Sequence, residues 1–167
     1  MKTLKSIKSL VPLLLGSFLV MPSYADTDRL RFKWGVPSDN SAAIQSDFDI
    51  FSSSVNHSKT GNQRIYFNHF YTNRDKNICS YENRYPDSST MVFAGQAVKM
   101  LRWCKKALDK NRYYYNYTPE TDRGHSYVVN LFKVATSPIE IQHNNETLLF
   151  PVMGFTKVWN SAGGNAI

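Results

Sequence analysis

Apolar and polar residues alternate strictly over residues 29–36, the first patterned segment of the chain. Leu30, Phe32, Trp34 and Val36 fall on one face, and arginine and lysine residues occupy most of the other. Because successive side chains of a strand point to opposite faces, this alternation predicts a half-buried strand with a basic outer face.

Several later segments are rich in β-branched and aromatic residues, which predicts further short strands. These segments are residues 63–72, 78–81, 91–94, 113–117, 126–136, 139–142 and 147–155. Residues 42–51 fit either a short helix or a strand. The polar segments 52–63 and 83–89 contain turn-forming residues, and we expect them to be loops.

One segment, residues 97–108, has helical periodicity. Ala97, Leu101, Cys104 and Leu108 recur at spacings of four, three and four residues, which places them on one face of a helix. The basic residues of this region fall on the opposite face: Lys99, Arg102, Lys106 and Lys110. We therefore expect an α+β fold, in which several short strands form an antiparallel sheet and one main amphipathic helix packs on it.

The N-terminal 25 residues have the features of a secretory signal peptide. Lys2, Lys5 and Lys8 precede an apolar stretch at 10–21, and the small residue Ala25 precedes the expected cleavage point. We expect this leader to be removed, which makes the mature protein periplasmic or secreted.

Residues 26–159 are then expected to form a single globular domain, followed by a flexible tail at 160–167. Three lysines and no acids belong to the leader, so the formal charge of +7 falls to +4 when it is removed. This mild charge does not match a dedicated nucleic-acid-binding protein, and we expect no nucleic-acid partner. After residue 25 no apolar run is long enough to cross a membrane.

Two cysteines follow the leader, Cys79 and Cys104. An even count in an oxidising compartment predicts a single disulfide between them. On the expected helix, Cys104 would face the sheet. A nucleophilic role for Cys104 with His125 as its base is disfavoured, because a reactive cysteine typically lies at a helix N-terminus, where the dipole lowers the thiol pKa.

His125 and His69 are the candidates for acid–base catalysis, as in a ribonuclease-like enzyme. Neither belongs to a recognisable catalytic motif. The histidines and cysteines lack the spacing of metal ligands, so we expect no metal site and no cofactor. The sequence therefore favours a binding protein over an enzyme.

The leading hypothesis is a small exported, non-enzymatic binding protein, such as an immunity protein against a secreted toxin or an accessory factor of a secretion or conjugation system. Its partner would be another exported protein or an anionic component of the envelope. The candidate partner-binding residues are Lys99, Arg102, Trp103, Lys106, Lys110 and Tyr114. An alternative is a carbohydrate- or envelope-binding module, in which Trp34, Trp103 or outward-facing tyrosines stack on sugar rings.

Overall fold

The computed structural model describes residues 34–35, 40–45, 49–73, 76–107 and 112–165. The predicted leader, most of the predicted strand at 29–36, and Lys110 lie outside these residues. Within them, the elements in chain order are β1 (Ser41–Gln45), β2 (Asp49–His57), β3 (Gln63–Tyr71), β4 (Asp87–Phe93), β5 (Gln96–Lys106), β6 (Tyr113–Pro119), α1 (Asp122–Val134), β7 (Ile139–His143), β8 (Glu146–Phe150) and α2 (Phe155–Ser161).

The eight strands form one antiparallel sheet in the order β1-β2-β3-β6-β5-β4-β7-β8. The sheet curls until it is nearly closed, so that strands far apart in this order face each other across its interior. The ring centroids of Phe51 on β2 and His143 on β7 lie 6.3 Å apart, and those of Phe67 on β3 and Phe150 on β8 lie 6.2 Å apart. The inner face of the sheet therefore forms the core.

Helix α1 contributes to this core through Phe132, which is buried. The Phe132 ring packs against Trp34 at 6.0 Å, Phe150 at 6.1 Å and Phe155 at 5.2 Å between centroids. Burying one such phenyl ring stabilises the fold by about 1.5–3 kcal/mol. One face of each helix, with Val128, Val129 and Phe132 on α1 and Phe155 and Val158 on α2, thus packs against the core of the curled sheet.

The expected α+β arrangement with one main amphipathic helix is wrong, because residues 97–108 do not form a helix. Residues Gln96–Lys106 form β5, the longest described strand. Val98 and Cys104 are buried on its inner side, whereas Leu101 and Trp103 are half-buried on its outer side. Apolar residues on both sides of one strand imitate the spacing of a helical stripe.

The predicted strand at 126–136 is also wrong, since these residues lie mostly in α1. The helix begins after Thr121, whose hydroxyl accepts a hydrogen bond from the Gly124 N–H at 3.0 Å. This N-cap satisfies a backbone donor of the first turn. Val128 and Phe132 are then buried one helical turn apart, so packing in the closed interior overrides the strand propensity of the segment.

The remaining predicted elements divide into two groups. The strands expected at 63–72, 91–94, 113–117 and 139–142, and the first part of 147–155, are confirmed in β3, β4, β6, β7 and β8. The loop expected at 52–63 is wrong over most of β2, and the loop at 83–89 overlaps the start of β4. The short strand expected at 78–81 does not form.

The predicted disulfide is confirmed: the sulfur atoms of Cys79 and Cys104 are bonded at 2.03 Å. Disulfides of this kind persist in oxidising compartments. After α2, the chain hydrogen-bonds back to the sheet. The Gly164 carbonyl accepts from His57 Nε2 at 2.6 Å, and the Asn165 side chain accepts from the Gln63 N–H at 2.9 Å.

Candidate functional site

The outer face of the four central strands, β2, β3, β6 and β5, carries an open groove. Strand register aligns its residues: Asn68 lies opposite Asn116, which in turn lies opposite Trp103, and Lys105 lies opposite Tyr114. Since side chains opposite each other in a sheet share a face, these residues project together from the outer side.

Two adjoining depressions make up this groove, with volumes of about 550 Å³ and 280 Å³. Their linings share residues, among them Tyr66, Lys105 and Asn116, so the two spaces are continuous. Trp103 lines the larger depression and Tyr114 the smaller. We call these combined depressions the outer-face groove. Four strands spaced about 4.8 Å apart make it about 14 Å across.

Basic side chains from different parts of the chain line the groove: Lys59, Arg64, Arg84 and Lys105. Arg64 is held in place, because its Nη1 donates to the Pro119 carbonyl at 2.8 Å and its Nη2 lies 3.7 Å from the Asp122 carboxylate. No acidic side chain of the described residues lines either depression. The groove therefore favours negatively charged ligands.

A chain of side-chain amides and hydroxyls crosses the floor of the groove and its continuation onto β2. Asn116 Nδ2 donates to Asn68 Oδ1 at 2.7 Å, and Asn68 Nδ2 donates to the Ser52 hydroxyl at 3.2 Å. These bonds fix the orientation of the Asn116 amide, whose Oδ1 accepts no hydrogen bond from the described residues. The floor thus presents a preoriented acceptor to a ligand.

Three aromatic side chains complete the lining: Tyr66, Trp103 and Tyr114. The Tyr114 ring stacks on Phe70 at 4.5 Å between centroids, which anchors it against the sheet. Burial raises the pKa of both Tyr66 and Tyr114, so their hydroxyls remain protonated donors at neutral pH. Half-buried rings of this kind supply rigid apolar contact area with a polar tip.

The segment at 76–86 brings Arg84 to the groove. It contains no helix or strand, and the Cys79–Cys104 disulfide ties it to β5. Its side chains also bind strand backbone: Asn83 accepts from the Cys104 N–H at 2.6 Å and Asn77 from the Tyr113 N–H at 2.7 Å. The disulfide therefore lies next to the site, where it ties this irregular segment to β5.

A second polar cluster lies inside the curled sheet. His69 Nε2 donates to Asp49 Oδ1 at 2.7 Å, and the Tyr117 hydroxyl lies 3.0 Å from His143 Nε2. The two imidazole rings are 5.8 Å apart. All four residues are buried, with 5% or less of each exposed.

Burial sets the protonation states in this cluster. It lowers the pKa of His69, against the opposing effect of Asp49, and together with the nearby His69 it lowers the pKa of His143 to about 4. Burial also raises the pKa of Tyr117. At neutral pH His143 is therefore uncharged, and its Nε2 shares a hydrogen bond with the Tyr117 hydroxyl.

The carboxyl group of Glu146 also borders this cluster. Burial and the neighbouring Asp49 carboxylate raise its pKa to about 7. A raised carboxyl pKa is expected where two carboxyl groups share a poorly solvated site, because ionising both places two negative charges close together. Such shifts are also found in catalytic sites, yet His69 and His143 are each only 4% exposed. No substrate can contact them in this conformation.

The structure separates the two histidines that the sequence made catalytic candidates. His69 lies in the interior cluster beside His143, whereas His125 lies on α1 with its ring 5.7 Å from that of Trp159. Burial lowers the pKa of His125, and its Nε2 has no hydrogen-bond partner among the described residues. The structure therefore does not pair His69 and His125 for acid–base chemistry.

The predicted partner-binding residues are also divided. Trp103 and Tyr114 line the outer-face groove. Lys99 lines a separate depression beside the start of α1. Arg102 lies on the inner side, where its guanidinium covers the Tyr115 ring at 4.7 Å and contacts Asp87 at 3.5 Å.

Other residues named from the sequence lie elsewhere. Lys106 is exposed at the end of β5, and Lys110 is outside the described residues. Trp34 cannot stack on a sugar, because it is buried and its indole N–H donates to the Pro151 carbonyl at 2.9 Å. Sequence reasoning missed Lys105 and the polar outer residues of β2 and β3. If residues 97–108 had been interpreted as a strand, Lys105 would have been placed on the same face as Trp103, two residues before it.

Comparison with protein-family models, with curated proteins and with solved structures finds no match to this chain. Among the described residues, no helix is long and apolar enough to cross a membrane. The same residues contain no cluster of three or more histidine, cysteine or acidic side chains that could hold a metal ion. The outer-face groove is the accessible site that combines charge, aromatic rings and preoriented polar groups.

Proposed function

We propose that this protein is an exported, non-enzymatic binding protein, periplasmic or secreted, and that its outer-face groove captures a negatively charged ligand. The observation that carries the proposal is the lining of the groove, which combines basic side chains with aromatic rings and fixed amides and has no acid among the described residues. An acidic surface of an exported protein, as in an immunity or secretion-accessory role, and an anionic envelope component both have the required charge.

Electrostatic attraction in this groove is strong enough to change the affinity for a charged ligand measurably. A pair of opposite charges about 4 Å apart is worth about 1 kcal/mol in water and about 4 kcal/mol near a protein surface that partly excludes water. Lys105 is half-buried, so its charge acts on a ligand through less solvent than that of a fully exposed lysine, whereas the charge of Arg64 is partly offset by Asp122. Reversing one such charge should cost about 1.4 kcal/mol or more, which is at least tenfold in affinity.

Lys105→Glu tests the proposal, with Lys99→Glu as its matched control. Both lysines project from the outer side of β5, but they are six residues or about 20 Å apart, and Lys99 lines a different depression. The probes are fluorescently labelled polygalacturonate and poly-L-glutamate, titrated by anisotropy at low and at physiological salt. We expect Lys105→Glu to weaken binding at least tenfold and Lys99→Glu to change it less than twofold.

Equal losses in the two variants would mean that the polyanions respond to the overall charge of the protein, which would contradict the placement of the site in the groove. If the wild-type protein binds neither polygalacturonate nor poly-L-glutamate, the proposed function as a whole is contradicted. Melting temperatures of the variants, followed by circular dichroism, must match the wild type for a loss of affinity to be assigned to the groove.

A further inference from the structure

The backbone beneath the outer-face groove has no free edge. Strands β2, β3, β6 and β5 each pair with a strand on both sides. An extended peptide usually binds by adding a strand to an open sheet edge, where main-chain hydrogen bonds supply the affinity. A ligand in this groove must instead be recognised by side chains, without the main-chain hydrogen bonds that an added strand would make.

The side chains available suit a ligand with hydroxyl groups and apolar ring faces. Asn116 presents a preoriented amide oxygen, which can accept from a hydroxyl. Trp103 and Tyr66 offer apolar ring surface next to it, and the C–H faces of sugar rings pack on such surfaces. The distance across the four strands is about 14 Å, and several sugar rings fit side by side along this direction.

The charges lie around these neutral groups. Arg84 lines the larger depression together with Trp103, Lys105 lines both depressions, and Ser54 and Asn68 line the smaller one. A single-stranded nucleic acid carries a phosphate on every nucleotide and is typically bound along a continuous basic track. The mixed lining and the mild formal charge of +7 for the whole chain fit a ligand whose charges alternate with neutral polar groups.

Resting on the proposed function, we infer that the ligand of the outer-face groove is an acidic oligosaccharide, a linear glycan that carries carboxylate groups. The sugar rings pack on Trp103 and Tyr66, ring hydroxyls bind the Asn116 amide, and the carboxylates pair with Lys105 and Arg84.

A panel of four probes on the wild-type protein tests the ligand class without any variant. The probes are a galacturonate tetrasaccharide, the same tetrasaccharide with its carboxyl groups reduced, a glutamate oligopeptide of equal charge, and a short oligothymidylate. Isothermal titration calorimetry measures each affinity at physiological salt. We expect the galacturonate to bind at least tenfold more tightly than each of the other three.

Tighter binding of the glutamate peptide or the oligothymidylate would overturn the glycan assignment, while leaving an anion-binding groove in place. Equal binding of the acidic and the reduced tetrasaccharide would keep a glycan site but overturn its acidic character. Failure of all four probes to bind would overturn both this inference and the proposed function.

Trp103→Leu then separates ring stacking from charge. We expect this variant to lose at least fivefold in galacturonate affinity and to keep its affinity for poly-L-glutamate within twofold. The control is Tyr81→Ala, because Tyr81 is an aromatic side chain that is 72% exposed and does not line the groove. Loss of both affinities to the same extent in Trp103→Leu would contradict sugar stacking, and a matching loss in Tyr81→Ala would place the sugar elsewhere.

Discussion

Removal of the Cys79–Cys104 disulfide should lower the free energy of unfolding by about 3.5 kcal/mol. The two cysteines are 25 residues apart. Crosslinking a loop of this length removes about 12 cal/mol/K of entropy from the unfolded chain, which corresponds to about 3.5 kcal/mol at 25 °C. The folded state should change little, because Asn77 and Asn83 still hydrogen-bond to the backbone of β6 and β5.

The assay is urea unfolding of the wild type and of Cys79→Ala/Cys104→Ala, followed by tryptophan fluorescence. Besides the loss of stability, the urea dependence of the unfolding free energy should steepen in the variant, since its denatured chain is less compact. Wild-type protein kept in a reducing agent is the control and should behave like the variant. A loss below about 1 kcal/mol, or a large loss with an unchanged slope, would refute an effect that acts through the unfolded state.

Two further perturbations follow from single positions. Gly154 has a φ of 92°, and a Cβ there would lie 2.8 Å from the Trp34 carbonyl oxygen, so Gly154→Ala should cost about 2 kcal/mol or more in urea unfolding. Gly163→Ala, at a φ of 88° with nothing within 4 Å, should cost about half as much, and equal losses would contradict the close contact. Glu146, with a pKa raised from 4.5 to about 7, contributes stability at low pH that is lost as the pH rises through about 7. The free energy of unfolding of Glu146→Gln, measured in urea, should therefore gain on that of the wild type between about pH 5 and pH 8, by on the order of 1 kcal/mol because the carboxyl is partly solvated. A difference that does not vary with pH would rule this out.

The strands with regular alternation could be recognised from the sequence. In β3, Ile65 and Phe67 are buried while Tyr66 and Asn68 are half-buried on the outer side, so the alternation that the sequence shows is the one that the sheet uses. The disulfide also followed from the sequence, because the chain has two cysteines and they have one possible pairing.

Two of the four strands that carry the outer-face groove, β2 and β5, could not be recognised, because their outward residues depart from the expected pattern. In β5, the apolar Leu101 and Trp103 face outward and Arg102 faces inward, which destroys the period of two and imitates a helical stripe. In β2, the outward Ser52 and Ser54 belong to the polar floor, so the segment has the composition of a loop. Local rules fail here because the outward face of these strands does not have the polar, regularly alternating composition that the rules assume.

The sequence by itself therefore determined the disulfide, the positive formal charge and the regular strands, because each depends on composition or on residues close together in the chain. Only the tertiary structure decided that the sheet curls nearly closed, that residues 126–134 are helical with one face against the core, and that Lys105, Arg84, Trp103 and Asn116 meet in one groove. These outcomes depend on packing and register between strands far apart in the chain, which no local pattern encodes.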